Sequence, residues 1–409
     1  MSSKLRLFTS LLIIFFLPFN IYGQEINQAI EKNETAIRQY QEKIQSLKAE
    51  TDSLKLIRDI AEIESVALPE ITNKDALIKH SALILQYNEE HEQADWVAHK
   101  ISVDILTGVQ GRTNNFRTDP KVTTGTAEKD DYWYSGFDRG HLAPSADFRW
   151  SQQAVSESYY YSNMSPQRPE FNREAWADLE NTLRRYVEEK QRPLYVVTGP
   201  YYSEKPEKLG DNKVSIPQYY FKTALDYTGD TIAGVAFLMP NAQCEYPVFS
   251  YALTIDSLES ITGINFYYQL PDSAENIAES IYDYDYWKFA AGSNSILPIH
   301  RNQLPPNTIN TVQARSYYDK KATVCGTVAS AHTSDKGHLF LNFDGQFPDQ
   351  LFWCTVWKSD LKNFSYDPEK LLADKKICVS GVVKQKYGKP SMSLSNEKQI
   401  QMYKDLLEE

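Results

Sequence analysis

Apolar residues recur near heptad a and d positions over residues 24–66, at Ile30, Ile37, Tyr40, Ile44, Leu47 and Leu54, with Glu and Lys between them. No proline or glycine interrupts this stretch before Pro69. The pattern predicts one amphipathic helix or a short coiled coil. Asn33, Thr51 and Arg58 lie on the same stripe and weaken the seam. Packing onto the rest of the chain and contact with a second copy both stay open.

From about Leu77 to Pro298 the texture becomes mixed. Short β-rich runs, Trp96–Ile105, Leu194–Thr198 and Thr231–Leu238, alternate with helical patterns at Phe171–Lys190 and Pro247–Thr262. A stretch rich in Ser, Asn and Pro predicts a linker over 291–311. Beyond it, residues 312–409 predict five strands: Lys321–Ala329, His338–Phe343, Leu351–Trp357, Lys376–Lys384 and Ser391–Leu394. A helix-compatible segment, Ser359–Ala373, sits before the fourth. Gly326 and Gly381 fall where strands of a small barrel bend. Five strands with a helix in that place resemble the OB-fold.

Composition places the chain among ordinary globular proteins, at 42% hydrophobic and 24% charged residues. Its net charge of −11 excludes a binder that works through overall basicity, but leaves room for a catalyst with a local basic groove. At the N-terminus, Lys4 and Arg6 precede an apolar run from Leu7 to Phe19, and Ile21-Tyr22-Gly23 ends small. Residues 1–23 therefore predict a cleavable signal peptide, too short and poorly flanked for a stable membrane span. The mature chain is expected to be periplasmic or secreted, without a membrane anchor. Cys244, Cys325, Cys354 and Cys378 show no zinc spacing. One disulfide among the last three suits an oxidising compartment, with the pairing left open.

Two features carry chemistry. The first is Asp138-Arg139-Gly140-His141-Leu142-Ala143-Pro144. A histidine beside glycine at a turn can present a ring nitrogen, and its ordinary pKa lets it act as a base near neutrality. An arginine two residues earlier can hold a phosphate oxygen. Alone, this motif equally describes a structural histidine. The second is Ser162-Asn163-Met164-Ser165-Pro166-Gln167, followed by Phe171-Asn172, Trp176, Leu179-Glu180 and Arg184. Asn172, Trp176, Glu180 and Arg184 are i+4 steps and would share a drifting helical stripe. Its polar members could hold a hydrated cation near a phosphate. An ordinary helix with Trp176 in the core and a Glu180–Arg184 pair fits as well.

Taken together, DRGH, SNMSPQ, FN and then W and LE resemble the sugar-non-specific DNA/RNA endonucleases of the ββα-metal class. The likeness extends to Trp96-Val97-Ala98, Arg117-Thr118-Asp119-Pro120, Tyr195-Val196-Val197-Thr198-Gly199-Pro200 and Ile216-Pro217. It implies a nuclease domain with a mixed sheet over 75–290; with the amphipathic helix before it and the small OB-like β-barrel after it, the expected fold class is α+β. It further implies a Mg²⁺-dependent phosphodiester hydrolase, with Mn²⁺ as the other candidate ion, cutting both DNA and RNA, and the leader at residues 1–23 adds export. In that reading His141 looks like the general base and Asn172 the direct ligand of the ion. Glu180 resembles the carboxylate holding water around the ion. Arg139 and Arg184 match arginines that bind phosphate, and Asn163 matches an asparagine supporting the site. Asp138 braces the turn.

The chain departs from the pattern at Asn114, where some members carry an arginine. Arg112 and Arg117 are both within reach of that role. Two other readings stand beside the enzyme: a silent nuclease-like module binding nucleic acid, and an envelope interaction protein. The intact His141, Asn172 and Glu180 argue against the first, and the nuclease-like block against the second. Aromatics and lysines of the last block, among them Phe340, Phe343, Trp353, Trp357, Lys384, Lys386 and Tyr387, are either barrel core or a surface for stacking bases.

Overall fold

The helix-forming run that begins at residue 24 belongs to a single helix, α1 (Leu7–Glu62), which also passes through Pro18 and Gly23, in the computed structural model of the chain. The structure describes residues 7–244, 246–287, 296, 298–299 and 303–407, with residues 7–22, 284 and 285 by backbone alone. Residues 1–6 of the expected signal peptide, and 291–295, 297 and 300–302 of the expected linker, lie outside the described residues. Contacts divide the chain into two units, residues 1–58 and 59–409. In the first, Ile30, Ile37, Tyr40, Ile44, Leu47 and Leu54 are all exposed, by 46–71%. Among the described residues no helix is long and apolar enough to cross a membrane.

The second unit opens with β1 (Leu77–Lys79), β2 (Leu83–Asn88) and β3 (Gln93–Ile101). Next come α2 (Lys129–Tyr132), β4 (Asp138–His141), α3 (Gln152–Glu157) and β5 (Met164–Gln167). A π-helical turn, Phe171–Trp176, then leads into α4 (Ala177–Lys190) and β6 (Leu194–Tyr201). A small pair, β7 (Lys208–Leu209) and β8 (Val214–Ser215), precedes β9 (Tyr219–Thr228), β10 (Thr231–Pro240) and β11 (Ala252–Leu253). Two helices follow, α5 (Ile255–Thr262) and α6 (Asp272–Ser280).

Seven of these strands form one sheet in the order β1-β2-β3-β6-β9-β10-β11. The expected mixed sheet is corrected here, because every neighbouring pair in it is antiparallel. The excursion from β3 through α4 re-enters beside the end it left, and β9 and β10 join through a tight turn at Gly229 (φ 62°). The expected helix over Pro247–Thr262 is also shorter. Ala252–Leu253 pairs with β10, and Thr254 caps α5 by accepting the Ser257 N–H at 3.2 Å.

Side chains alternate across these strands, so the sheet has two distinct faces. On one, Trp96, Ala98, Val197, Phe221 and Leu225 pack with Ile63, Ala67, Ile255, Leu258 and Ala278 into an apolar core. On the other lie His99, Thr198, Tyr220 and Lys222, all buried and all polar in part. β4, β5 and α4 cover that second face.

The last hundred residues build a second sheet. It contains β12 (Ile309–Asn310), β13 (Lys321–Thr333), β14 (Leu339–Phe343) and β15 (Phe352–Val356). β16 (Lys376–Val382), β17 (Lys384–Lys386), β18 (Lys389–Leu394) and β19 (Ile400–Met402) complete it. The order is β17-β18-β15-β14-β13-β16-β19, with β12 parallel to β13. This is an open path, and no pairing among the described residues closes it into a barrel. Three strands, β12, β17 and β19, were not foreseen, since two or three residues are too few to show a period of two. β12 falls inside the expected linker. Cys325 and Cys378 sit directly opposite each other on β13 and β16 and form a disulfide, while Cys244 and Cys354 are buried and free.

Candidate active site

The site grows from the antiparallel pairing of β4 with β5, which sets His141 opposite Met164 and Gly140 opposite Ser165. A Cβ on Gly140 would lie 2.1 Å from the buried Gln167 side chain, so the position beside the histidine admits only glycine without rearrangement. Asn163 fixes the chain just after His141. Its amide oxygen accepts the Ala143 N–H at 2.9 Å, and its amide nitrogen donates to the carbonyls of Ala143 at 2.9 Å and Ser158 at 2.8 Å. Asn163 is fully buried. It is a positioning residue that touches backbone only.

The His141 ring stands edge-on to Tyr159, with centroids 4.8 Å apart, and near Phe116 at 5.9 Å. Its Nε2 is buried and has no hydrogen-bond partner. Burial, then the charges of Arg112 and Arg139, lower its pKa to about 3. The imidazole is therefore neutral across the ordinary pH range. Arg139 lies flat over the Phe116 ring, 3.9 Å from the centroid, and donates to Tyr161 Oη at 3.5 Å. That leaves most of its guanidinium free for an anion.

Across from this pair, Asn172 is the second residue of the π-helical turn. Asp138 holds it: the Asn172 amide nitrogen donates to Asp138 Oδ2 at 2.9 Å, and Arg173 grips both oxygens of the same carboxylate at 2.8 and 2.6 Å. Among the described residues the amide oxygen of Asn172 takes part in no hydrogen bond. Asn172 and Trp176 lie in the π-helical turn, and Glu180 and Arg184 lie on the α-helix that continues it. Trp176 is fully buried against Phe171 and Tyr220 and belongs to the wall beneath the site.

Glu180 and Arg184 are half-buried on α4, with their charged atoms 4.0 Å apart. Burial raises the Glu180 pKa against the pull of Lys222 and Arg184. Arg184 donates to Asp147 Oδ1 at 2.6 Å, and Asp147 Oδ2 meets His99 Nε2 at 2.9 Å. Burial alone would raise the Asp147 carboxyl, but Arg184 and His99 hold it below its ordinary range. Lys222 is buried under Trp176, its Nζ 4.8 Å from the ring, and donates to Thr198 Oγ1 at 2.6 Å and the Leu142 carbonyl at 3.3 Å. Burial lowers its pKa although Glu180 and Asp147 oppose the change.

The sequence reading missed His99, Asp147 and Lys222. Lys222 did carry a signal, a lone cation inside an apolar strand, and His99 a weaker one of the same kind. Asp147 had none, since only folding brings it under Arg184. Of the two arginines considered for the role left open at Asn114, Arg117 donates to the Ser156 carbonyl at 2.8 Å and lies over Tyr160. Arg112 is exposed, makes no hydrogen bond or ion pair among the described residues, and acts electrostatically on both His141 and Glu180. Three carboxylates on the opposite face of the sheet, Asp256, Glu259 and Glu279, bring oxygens within 4.8 Å of one another and have no part in this site.

The model of the DNA/RNA non-specific endonuclease family matches residues 62–273, which carry His141, Asn172, Glu180, Arg184 and the residues that hold them. The chain belongs to that family. It is accordingly a nuclease, a phosphodiester hydrolase of a metal-dependent family that acts on nucleic acid. Human mitochondrial endonuclease G is 34% identical over 205 residues, which span 46% of this chain and 69% of that protein. The mitochondrial endonuclease G of Caenorhabditis elegans is 33% identical over 230 residues, 51% of this chain and 73% of that one. A nuclease of Nostoc sp. is 33% identical over 224 residues, 52% and 79% respectively. A chain in the crystal structure of the EndoG/EndoGI complex is similar at 27% identity and a TM-score of 0.45, covering 49% of this chain and 89% of that chain.

Proposed function

We propose that this nuclease is an exported, Mg²⁺-dependent endonuclease that hydrolyses both DNA and RNA with His141 as general base. The observation that carries the reading is the neutral imidazole of His141, its Nε2 unpartnered beside two arginines with unused donors. A neutral ring nitrogen accepts the proton of an attacking water. Arg139 and Arg112 neutralise charge that develops on the phosphoryl oxygens, and we assign Arg112 the role left open at Asn114. Arg184, clamped by Asp147, holds its guanidinium in place with little loss of entropy at the moment of reaction. Nothing among these groups reads a base, which supports breadth across DNA and RNA.

The residues present fit a hard divalent ion. Asp138 occupies the amide nitrogen of Asn172 and so turns its free oxygen, a neutral hard donor, outward, with the Glu180 carboxylate on the adjoining helix. Mg²⁺, when bound by Asn172, supplies Lewis-acid stabilisation of the leaving oxygen.

Purified protein should degrade plasmid DNA and RNA with Mg²⁺, and chelator should stop it. His141→Ala should lower the rate at least about a hundredfold while the fold survives. Digestion by His141→Ala at the wild-type rate removes the histidine from the mechanism. Asn172→Ala should need more Mg²⁺ for half-maximal rate; an unchanged requirement places the ion elsewhere.

Export is supported by the leader-like residues 1–23 and by the Cys325–Cys378 disulfide, a bond that persists in oxidising compartments. The exposed apolar stripe of residues 30–54 supports homodimer formation through α1. An OB-like reading of the last block is supported by the antiparallel run of β14 and β15 after β13, the parallel pairing of β15 with β18, and β16 beside β13.

A further inference from the structure

The second sheet has one face in its core and one face out. Leu339, Leu341, Phe343, Phe352, Cys354 and Val356 pack inward. By alternation, the residues between them take the outer face, Phe340 on β14 and Trp353 on β15. Ser391 pairs with both Trp353 and Lys384, which brings the β17–β18 hairpin onto that same face.

The outer face is an aromatic platform with a cation over it. Trp353 lies 5.8 Å from Phe340 and stacks on Tyr387 at 6.4 Å and 27°. Lys386 Nζ sits 5.8 Å from the Trp353 ring and 5.3 Å from Trp357. Tyr387 is 95% exposed and Trp357 40%, so neither belongs to the core. Lys384 is committed to Asp319 at 2.5 Å, whereas Lys386 has no hydrogen bond or ion pair among the described residues. Residues 312–409 carry 14 Lys and Arg against 12 Asp and Glu, in a chain whose net charge is −11. The positive balance is thus local to this block.

The hairpin also reaches the nuclease. Lys389, opposite Lys386 in the turn, lines a cleft of about 600 Å³ together with Arg184 and Arg185 of α4 and Arg315. Five carboxylates, Glu174, Asp178, Glu188, Asp344 and Asp349, line the same cleft, and Asp349 and Asp178 pair with Arg185 and Arg315.

We propose that this face binds single-stranded nucleic acid by stacking bases on Trp357 and Tyr387 while Lys386 meets the backbone. The proposal rests on the nuclease reading for its purpose, but not for its chemistry. Exposed rings recognise the π-face of any base, which a duplex hides in its own stack. The occupant is a single strand for that reason.

The test uses the full chain in chelator, a fluorescein-labelled oligothymidylate recovered intact after each reading, and fluorescence anisotropy. Trp357→Ala and Tyr387→Ala, both at exposed positions, should each weaken binding about tenfold, and Lys386→Ala should flatten its salt dependence. The same oligonucleotide annealed to its complement should bind more weakly than the single strand. Tyr268→Ala, an exposed ring outside this block, should bind as wild type. Unchanged binding by the double variant Trp357→Ala/Tyr387→Ala overturns the proposal, and so does equal affinity for the duplex. Binding without any nuclease activity on adding Mg²⁺ would instead count against the function proposed above.

Discussion

At the scale of single residues, burial decides what each polar group can do. His141 and Glu279 show the two directions. Burial and two arginines lower the His141 pKa to about 3, so its ring is neutral. Glu279, on the far face of the sheet, is 5% exposed with an unpartnered Oε1, and burial followed by the charges of Glu259 and Glu275 raises its pKa to about 8. In the unfolded chain the same carboxyl titrates near 4.5. The folded state therefore holds a proton that the unfolded state releases. That contribution to stability is complete below pH 4.5 and is lost as pH rises towards 8. Glu279→Gln should remove this slope, so that denaturant midpoints of mutant and wild type diverge above neutrality in favour of the mutant. Parallel midpoints from pH 5 to pH 9 would show that Glu279 is ionised throughout.

At the scale of elements, the helix after β5 shows how local winding sets chemistry. Spacing placed Asn172, Trp176, Glu180 and Arg184 on one stripe, but the chain begins with a π-helical turn. Trp176 is buried in the wall, and Asn172 donates to Asp138. The position of this helix was legible from its amphipathic period. Its winding was not, because a π turn answers to Asp138 and to packing under Tyr220 rather than to propensity. β13 and β16 make a second case. Cys325 and Cys378 are 53 residues apart in sequence yet face each other across the ladder. Closing a loop of that length limits the unfolded chain, and the bond should contribute ~4 kcal/mol. Replacing both cysteines with serine should lower the unfolding free energy of this block by about that amount, as read by denaturant titration of Trp353 and Trp357 fluorescence. Equal stability with and without reductant would mean the thiols are not joined.

At the scale of the whole molecule, an acidic chain concentrates cations locally. Arg112, Arg139 and Arg184 gather at the site, and Lys386 and Lys389 on the second sheet. Overall charge therefore says little about substrate, as the composition had suggested. The helix α1 raises a separate question of assembly. Its apolar stripe is exposed along residues 30–54, and a lone helix with such a face tends to pair. Sedimentation of the full chain should give the mass of two copies, and a chain lacking residues 24–58 the mass of one. A single-copy mass for the full chain would sink the dimer.

By itself the sequence determined the family and the helix that follows Phe171, because each of these signals is local. Periodicity and short motifs are written in neighbouring residues. Tertiary structure alone decided the antiparallel order of the first sheet, the partner of Cys325 and the buried His99–Asp147–Arg184 chain. Those depend on contacts between residues far apart in sequence, where burial and hydrogen bonding compete and no local pattern records the winner.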